Sequence, residues 1–140
     1  MRCFFLISGL VLYAQAVQIS VGGLGVLKGS ISPFSNLVAV WNRIPYSLPP
    51  VGQSRWQPPV PHGPWSSPRD AVEFGSACIG SEAQRSPNVT VSEDCLFLNV
   101  ASPLRTSQIN KNHLVPVLVF IHGGAFAIGV PTHNNLPNCQ

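Results

Sequence analysis

His122, Gly123, Gly124, Ala125 and Phe126 follow directly on an unbroken apolar run, Pro116-Val117-Leu118-Val119-Phe120-Ile121. Residues with little or no side chain leave their backbone N–H groups open to a ligand, and glycine reaches backbone angles closed to other residues. Acyl transfer passes through a tetrahedral intermediate whose oxygen carries charge, and N–H groups aimed at that oxygen each lower the barrier by about 3 kcal/mol. Gly123, Gly124 and Ala125 are therefore candidate oxyanion donors, with His122 fixing the loop through its ring hydrogen bonds. A Gly-Gly pair alone would be an ordinary turn. The apolar strand before it, the His ahead and the Ala-Phe behind favour the oxyanion reading.

The elements that would position such a loop are strands. Leu114 to Ile121 is the most strongly marked of them, apolar on both faces as in a sheet covered on two sides. Val17 to Ser32 reads as one or two short strands with Gly22-Gly23 as a turn, Leu37 to Trp41 as another, and Leu96 to Val100 as a further one. Thr106 to His113 is a polar loop. No repeat, heptad or amphipathic helix of usual length stands out, so the sheet lacks covering layers of its own.

Eight of the fourteen prolines fall between Pro45 and Pro68. Proline removes a donor and fixes φ, so neither a helix nor a central strand runs through this segment. It reads as an extended arm laid over another surface, with Tyr46, Trp56 and Trp65 as packing anchors. A Pro-rich ligand for a small recognition domain is the alternative. The interleaved large aromatics speak against it.

Composition narrows the class. Arg2, the apolar stretch Phe4 to Tyr13 and Ala14-Gln15-Ala16 match the three regions of a signal peptide over residues 1–16. The apolar stretch is too short to span a bilayer as a helix. Cleavage after Ala16 leaves seven basic and five acidic residues, scattered singly, with no basic stripe for nucleic acid. With 45% hydrophobic residues the chain is not disordered. Of the remaining Cys78, Cys95 and Cys139, the first two flank a polar segment, Ile79 to Asp94, and are the expected disulfide in an oxidising compartment. Two buried free thiols are the alternative. Cys139 is left over. Asn88-Val89-Thr90 is an N-glycosylation acceptor at Asn88, inside the expected disulfide loop.

Four blocks in order give the chain its resemblance to the N-terminal part of type-B carboxylesterases, the family that includes cholinesterases and some lipases. They are Ile44-Pro45-Tyr46 with Pro49-Pro50-Val51-Gly52 and Arg55-Trp56; Pro64-Trp65-Ser66 with Phe74-Gly75 and Cys78; Ser92-Glu93-Asp94-Cys95-Leu96-Phe97-Leu98-Asn99-Val100; and Pro116 to Gly129. The third is one of the family's signature patterns. The resemblance runs from about Gly25 to Gly129. It implies an α/β fold: the N-terminal portion of an α/β-hydrolase, with short β-strands, a Pro-rich arm and an incomplete central sheet. It also implies oxyanion donors at Gly124 and Ala125 with Gly123 completing the loop, a first disulfide between Cys78 and Cys95, and a structural ion pair between Arg55 and Glu93. Residues 17–130 would be the N-terminal part of that domain. Residues 131–140 carry no family pattern, as a wrongly extended or prematurely stopped gene model would leave them.

Departures from the family matter too. Arg43 stands where a glycine usually precedes Ile44, and Ala125 replaces a common third glycine while keeping the N–H. The Cys78–Cys95 loop holds no Trp, so it lacks the aromatic cation site of cholinesterases. No Gly-x-Ser-x-Gly occurs, and no acid or base of a triad can be placed. His62, His113 and His133 read as surface residues, and His122 precedes the point where the nucleophile would come, whereas the catalytic His comes last in the α/β-hydrolase order.

The expectation is thus a secreted, extracellular serine carboxylic-ester hydrolase acting on a small-molecule ester. It needs no cofactor or metal, no nucleic acid and no membrane span. The chain itself carries the oxyanion loop without a nucleophile and is expected to be inactive as it stands. The alternative is a non-catalytic secreted binding or adhesion protein on the same fold, which has no need of an oxyanion hole.

Overall fold

A computed structural model describes residues 16–80, 89–104 and 115–125. Residues 1–15 of the signal peptide expected over 1–16, the acceptor Asn88, His113, His133, Cys139 and residues 131–140 lie outside the described residues.

Gly22 and Gly23 turn the chain between β1 (Val17–Val21) and β2 (Gly25–Ile31), with Gly23 at φ +75° and the Leu24 N–H donating to the Val21 carbonyl at 3.0 Å. The two strands are antiparallel, from Val17 opposite Gly29 to Val21 opposite Gly25. β3 (Val38–Pro45) runs antiparallel to the end of β2, and β5 (Phe97–Pro103) antiparallel to β3, giving the order β1-β2-β3-β5. β4 (Arg69–Asp70) lies parallel beside Leu27 and Lys28 of β2. The described residues are thus a small, mainly antiparallel sheet. Its helical content is one 3-10 turn, Gly52–Ser54.

Two indoles hold this sheet together. Trp41 is buried on β3 and donates from Nε1 to the Val17 carbonyl at 3.1 Å. Its ring lies over Gly29, where an added Cβ would collide with Trp41 and the Val40 carbonyl. Trp65 donates from Nε1 to the Val26 carbonyl at 3.0 Å and fills the space over Gly25. Both indoles keep their one polar atom bonded while burying ring area, which buried Trp requires. The core is small: Leu27, Ala39, Trp41 and Ala71, with Val17, Val21, Ile44, Trp65 and Leu104 packed around them. Asn42 is buried beside it and satisfied, its N–H donating to the Ala71 carbonyl at 2.7 Å and its Nδ2 to the Val72 carbonyl at 2.8 Å.

The expected strand at Leu114 to Ile121 is not one here. Leu114 is outside the described residues, and residues 115–121 run outside any ladder, with Val117, Leu118 and Ile121 each 85% exposed. An apolar run of this kind is stable as a strand only between neighbours that take its N–H and C=O groups, and among the described residues none pairs with it. The aromatic anchors also need correcting. Trp65 packs on the core, but Tyr46 is half exposed and Trp56 is 94% exposed. Trp56 stands at the edge of an open groove with Pro50 and Ile79, and almost all of its ring stays in solvent.

Candidate oxyanion loop and the arm with its disulfide

The apolar segment delivers the chain into His122-Gly123-Gly124-Ala125. Gly124 has φ +127° and Ala125 φ +51°. Two consecutive positive φ values turn the backbone sharply, and only glycine takes such values without cost. At Ala125 the left-handed conformation costs about 1 kcal/mol for an L-residue. Gly123 is different: its φ is ordinary, and an added Cβ would meet nothing within 4 Å. The His122 ring places Nδ1 2.9 Å from the Gly123 carbonyl oxygen. A carbonyl only accepts, so this contact is a hydrogen bond in the tautomer with its proton on Nδ1. Gly124 is half-buried and the other three residues are exposed. Phe126 lies outside the described residues.

The Pro-rich arm is fixed separately. Ser47, buried, donates from Oγ to the Val60 carbonyl at 2.8 Å, and a bridge between Ser47 and Pro61 folds the arm back on itself. The 3-10 turn at Gly52–Ser54, entered through Gly52 at φ +55°, then carries Arg55 to Glu93: Nε donates to Oε1 at 2.9 Å. Glu93 is held in place by its neighbours, since the Ser92 hydroxyl accepts the Asp94 N–H at 3.1 Å. A disulfide joins Cys78 and Cys95 across 17 residues, next to a parallel bridge between Ala77 and Val91. Arg55, Glu93 and Cys95, with Pro50, Trp56, Ile79 and Ser92, line an open groove. The residues implied for the ion pair and the disulfide therefore come together in one cluster. Gly123, Gly124 and Ala125 do not line that groove.

Three further features carry no obvious mark in the sequence. Arg43 sits at φ +54°, where the pairing of β3 with β5 shifts between Trp41 and Ile44. The available clue was an Arg in a position that usually holds glycine. His62, read as a surface residue, is half-buried. Its Nδ1 lies 2.7 Å from the Gly63 carbonyl, its ring stands edge-on to Trp65, and its Nε2 faces Arg69 at 3.5 Å. The Arg69 guanidinium also stands 5.7 Å over the Trp65 ring, within cation–π range. Among the described residues no group of three or more His, Cys, Asp or Glu could hold a metal ion, and no helix is long and apolar enough to cross a membrane.

Comparison with known proteins gives these features a common setting. The model of the carboxylesterase family matches residues 14–136. Fumonisin B1 esterase of Sphingopyxis macrogoltabida is 40% identical over 104 residues, covering 73% of this chain and 18% of that protein. Para-nitrobenzyl esterase of Bacillus subtilis is 41% identical over 116 residues, covering 80% of this chain and 22% of that protein. Carboxylesterase 1F of Mus musculus is 36% identical over 112 residues, covering 71% and 19%. The chain spans about a fifth of the length of these relatives. With the family model matched over most of its length, the chain belongs to the carboxylesterase family.

Proposed function

We propose that this chain contributes the N-terminal sheet and oxyanion loop of a secreted serine carboxylic-ester hydrolase with the α/β-hydrolase fold. The observation that carries the reading is the backbone at Gly124 and Ala125, two successive residues at positive φ shortly after an apolar segment. Such a loop leaves its N–H groups free of side chains at a point where an acyl oxygen can approach. The N–H groups of Gly124 and Ala125 would stabilise the oxyanion of both tetrahedral intermediates, in acylation of a serine and in its deacylation by water. Gly123 lets the acyl group approach without a Cβ in the way. The Cys78–Cys95 disulfide fits an oxidising, extracellular compartment. The substrate class is a small-molecule ester.

The 140-residue chain holds no Gly-x-Ser-x-Gly, so it is inactive on its own in this reading. The test has two arms. Para-nitrobenzyl and short-chain aryl esters are offered to the isolated chain and to the longest in-frame product that carries it. Turnover by the longer product, blocked by a serine-reactive organophosphate, with none by the isolated chain, is the expected result. Turnover by the isolated chain above a mock-purified control overturns the inactivity. A longer product that binds a protein ligand and hydrolyses no ester favours the adhesion reading.

A further inference from the structure

We propose that the tip of the β2–β3 hairpin, Ser32 to Leu37, docks the protein on an anionic lipid surface through Phe34 and Leu37. The tip is two successive turns of the same design. The Ser35 N–H donates to the Ser32 carbonyl and the Val38 N–H to the Ser35 carbonyl, each at 3.3 Å. Within each turn a serine hydroxyl accepts the N–H two residues on, Ser32 Oγ from Phe34 and Ser35 Oγ from Leu37, again at 3.3 Å. Pro33 presets the first turn. The third position of each turn is therefore a large apolar residue, and both point at water: Phe34 is 84% exposed and Leu37 66%. Single exposed apolar residues are ordinary. Here two are displayed side by side on a braced loop.

The backbone of the tip suits a lipid interface. The N–H groups of Ser32, Phe34, Ser35 and Leu37 are all bonded within the hairpin, and Pro33 has none. The Leu37 carbonyl is taken too, by the Leu104 N–H at 2.7 Å. Hydrocarbon penalises every polar backbone group that enters it unpaired, and this loop brings few. A protein partner that adds a strand would need open donors and acceptors, which the tip does not offer. Charge selects the kind of surface. The carboxylates of the chain are Asp70, Glu73, Glu82, Glu93 and Asp94, so none precedes residue 70. Residues 29–42 carry no charge, and the first charges on either side are Lys28 on β2 and Arg43 on β3, both exposed. Asp70 stands opposite Lys28 on β4 and accepts the Val72 N–H at 3.1 Å. An uncharged apolar tip with cations set back along both strands complements negative headgroups over hydrocarbon.

The test uses the longest in-frame product that carries this chain, so that whatever could cover the tip is present. It is sedimented with vesicles of phosphatidylcholine alone or with about one-third phosphatidylglycerol. The wild type should partition onto the mixed vesicles and far less onto the neutral ones, and added salt should weaken the binding. Phe34→Ser and Leu37→Ser should each weaken it about 10-fold, as loss of an inserted apolar side chain does. Lys28→Gln should weaken it about fivefold on mixed vesicles and leave neutral vesicles unchanged. Hydroxyl-radical labelling of the wild type supplies a readout without any substitution: Phe34 should be labelled in solution and protected on mixed vesicles. No partition by the wild type overturns the proposal, as does equal partition onto both vesicle types. Wild-type partition by the Phe34→Ser, Leu37→Ser double variant overturns it too. Protection of Phe34 before vesicles are added shows that the downstream chain or a second copy covers the tip, and likewise overturns it.

Discussion

Arg43 donates its backbone N–H to Oδ1 of Asn99 at 3.1 Å, across the point where β3 slips out of register with β5. The slip is a bulge, and it is closed by a residue in the left-handed region, φ +54°. Bulges that need this conformation ordinarily use glycine. Here the guanidinium offsets part of the strain, standing 5.7 Å over the Phe97 ring.

Arg43→Gly should therefore be more stable than Arg43→Ala by about 1 kcal/mol, the reverse of the order found in a regular strand. Urea denaturation of the two variants side by side measures the difference. A more stable Arg43→Ala would show that the bulge carries no strain.

Gly123→Ala and Gly124→Ala should part company. Gly123 has an ordinary φ and free space, so Ala there should change stability by less than about 0.5 kcal/mol. Ala at 124 must take φ +127°, at a cost of about 1–3 kcal/mol. Ala125→Gly should move the other way, relieving φ +51°. Local hydrogen exchange across residues 122–125 reads all three. Equal protection in the two Gly→Ala variants would count against the loop geometry.

Gly25 lies under Trp65, and an added Cβ would come within 2.5 Å of the ring's Cδ1. The indole cannot easily yield, because Nε1 is bonded to the Val26 carbonyl. Gly25→Ala should cost about 2–3 kcal/mol from overpacking and the positive φ together. A lower thermal midpoint with red-shifted tryptophan emission is the expected pair of signals.

The Arg55–Glu93 pair is short but half in water, with side chains 53% and 37% exposed. Exposed pairs contribute about 0.2–1 kcal/mol and are screened by salt. Glu93→Gln should cost no more than that, and the cost should shrink at high ionic strength. The disulfide two residues further on is the stronger tie. Closing a loop of this length stabilises by about 3 kcal/mol in the chain-entropy account. Replacing Cys78 and Cys95 together by Ser should lower stability by about that amount, and reduction of the wild type should have the same effect.

What the sequence could show depended on how local the cause was. Gly22-Gly23 between β-forming runs marked the β1–β2 hairpin, because turn chemistry acts within four residues. β3 and β5 were legible as apolar runs, though each extends further than expected. The blocks around Arg55 and Glu93 carried the ion pair only through resemblance, since nothing local to Arg55 specifies a partner 38 residues away, whereas the Cys78–Cys95 pair was also legible from the polar segment between the two cysteines. β4 has two residues after Pro68 and owes its existence to the edge of β2, so no periodicity announces it. Trp56 and Trp65 look alike in sequence, yet only Trp65 meets glycine and a free carbonyl. Val115 to Ile121 failed as a strand for the opposite reason. Its own composition is right, but a strand is made by its neighbours.

Val117 to Ile121 is five consecutive strong β-formers without a charge, bare on both edges among the described residues and mostly exposed. Segments of that kind template cross-β aggregation and are what chaperones grip on a nascent chain. Pro116, just before the run, is the only residue in 116–121 that blunts it, by withholding one donor. The stretch that leads into the proposed oxyanion loop is thus also a hazardous one to leave uncovered during synthesis.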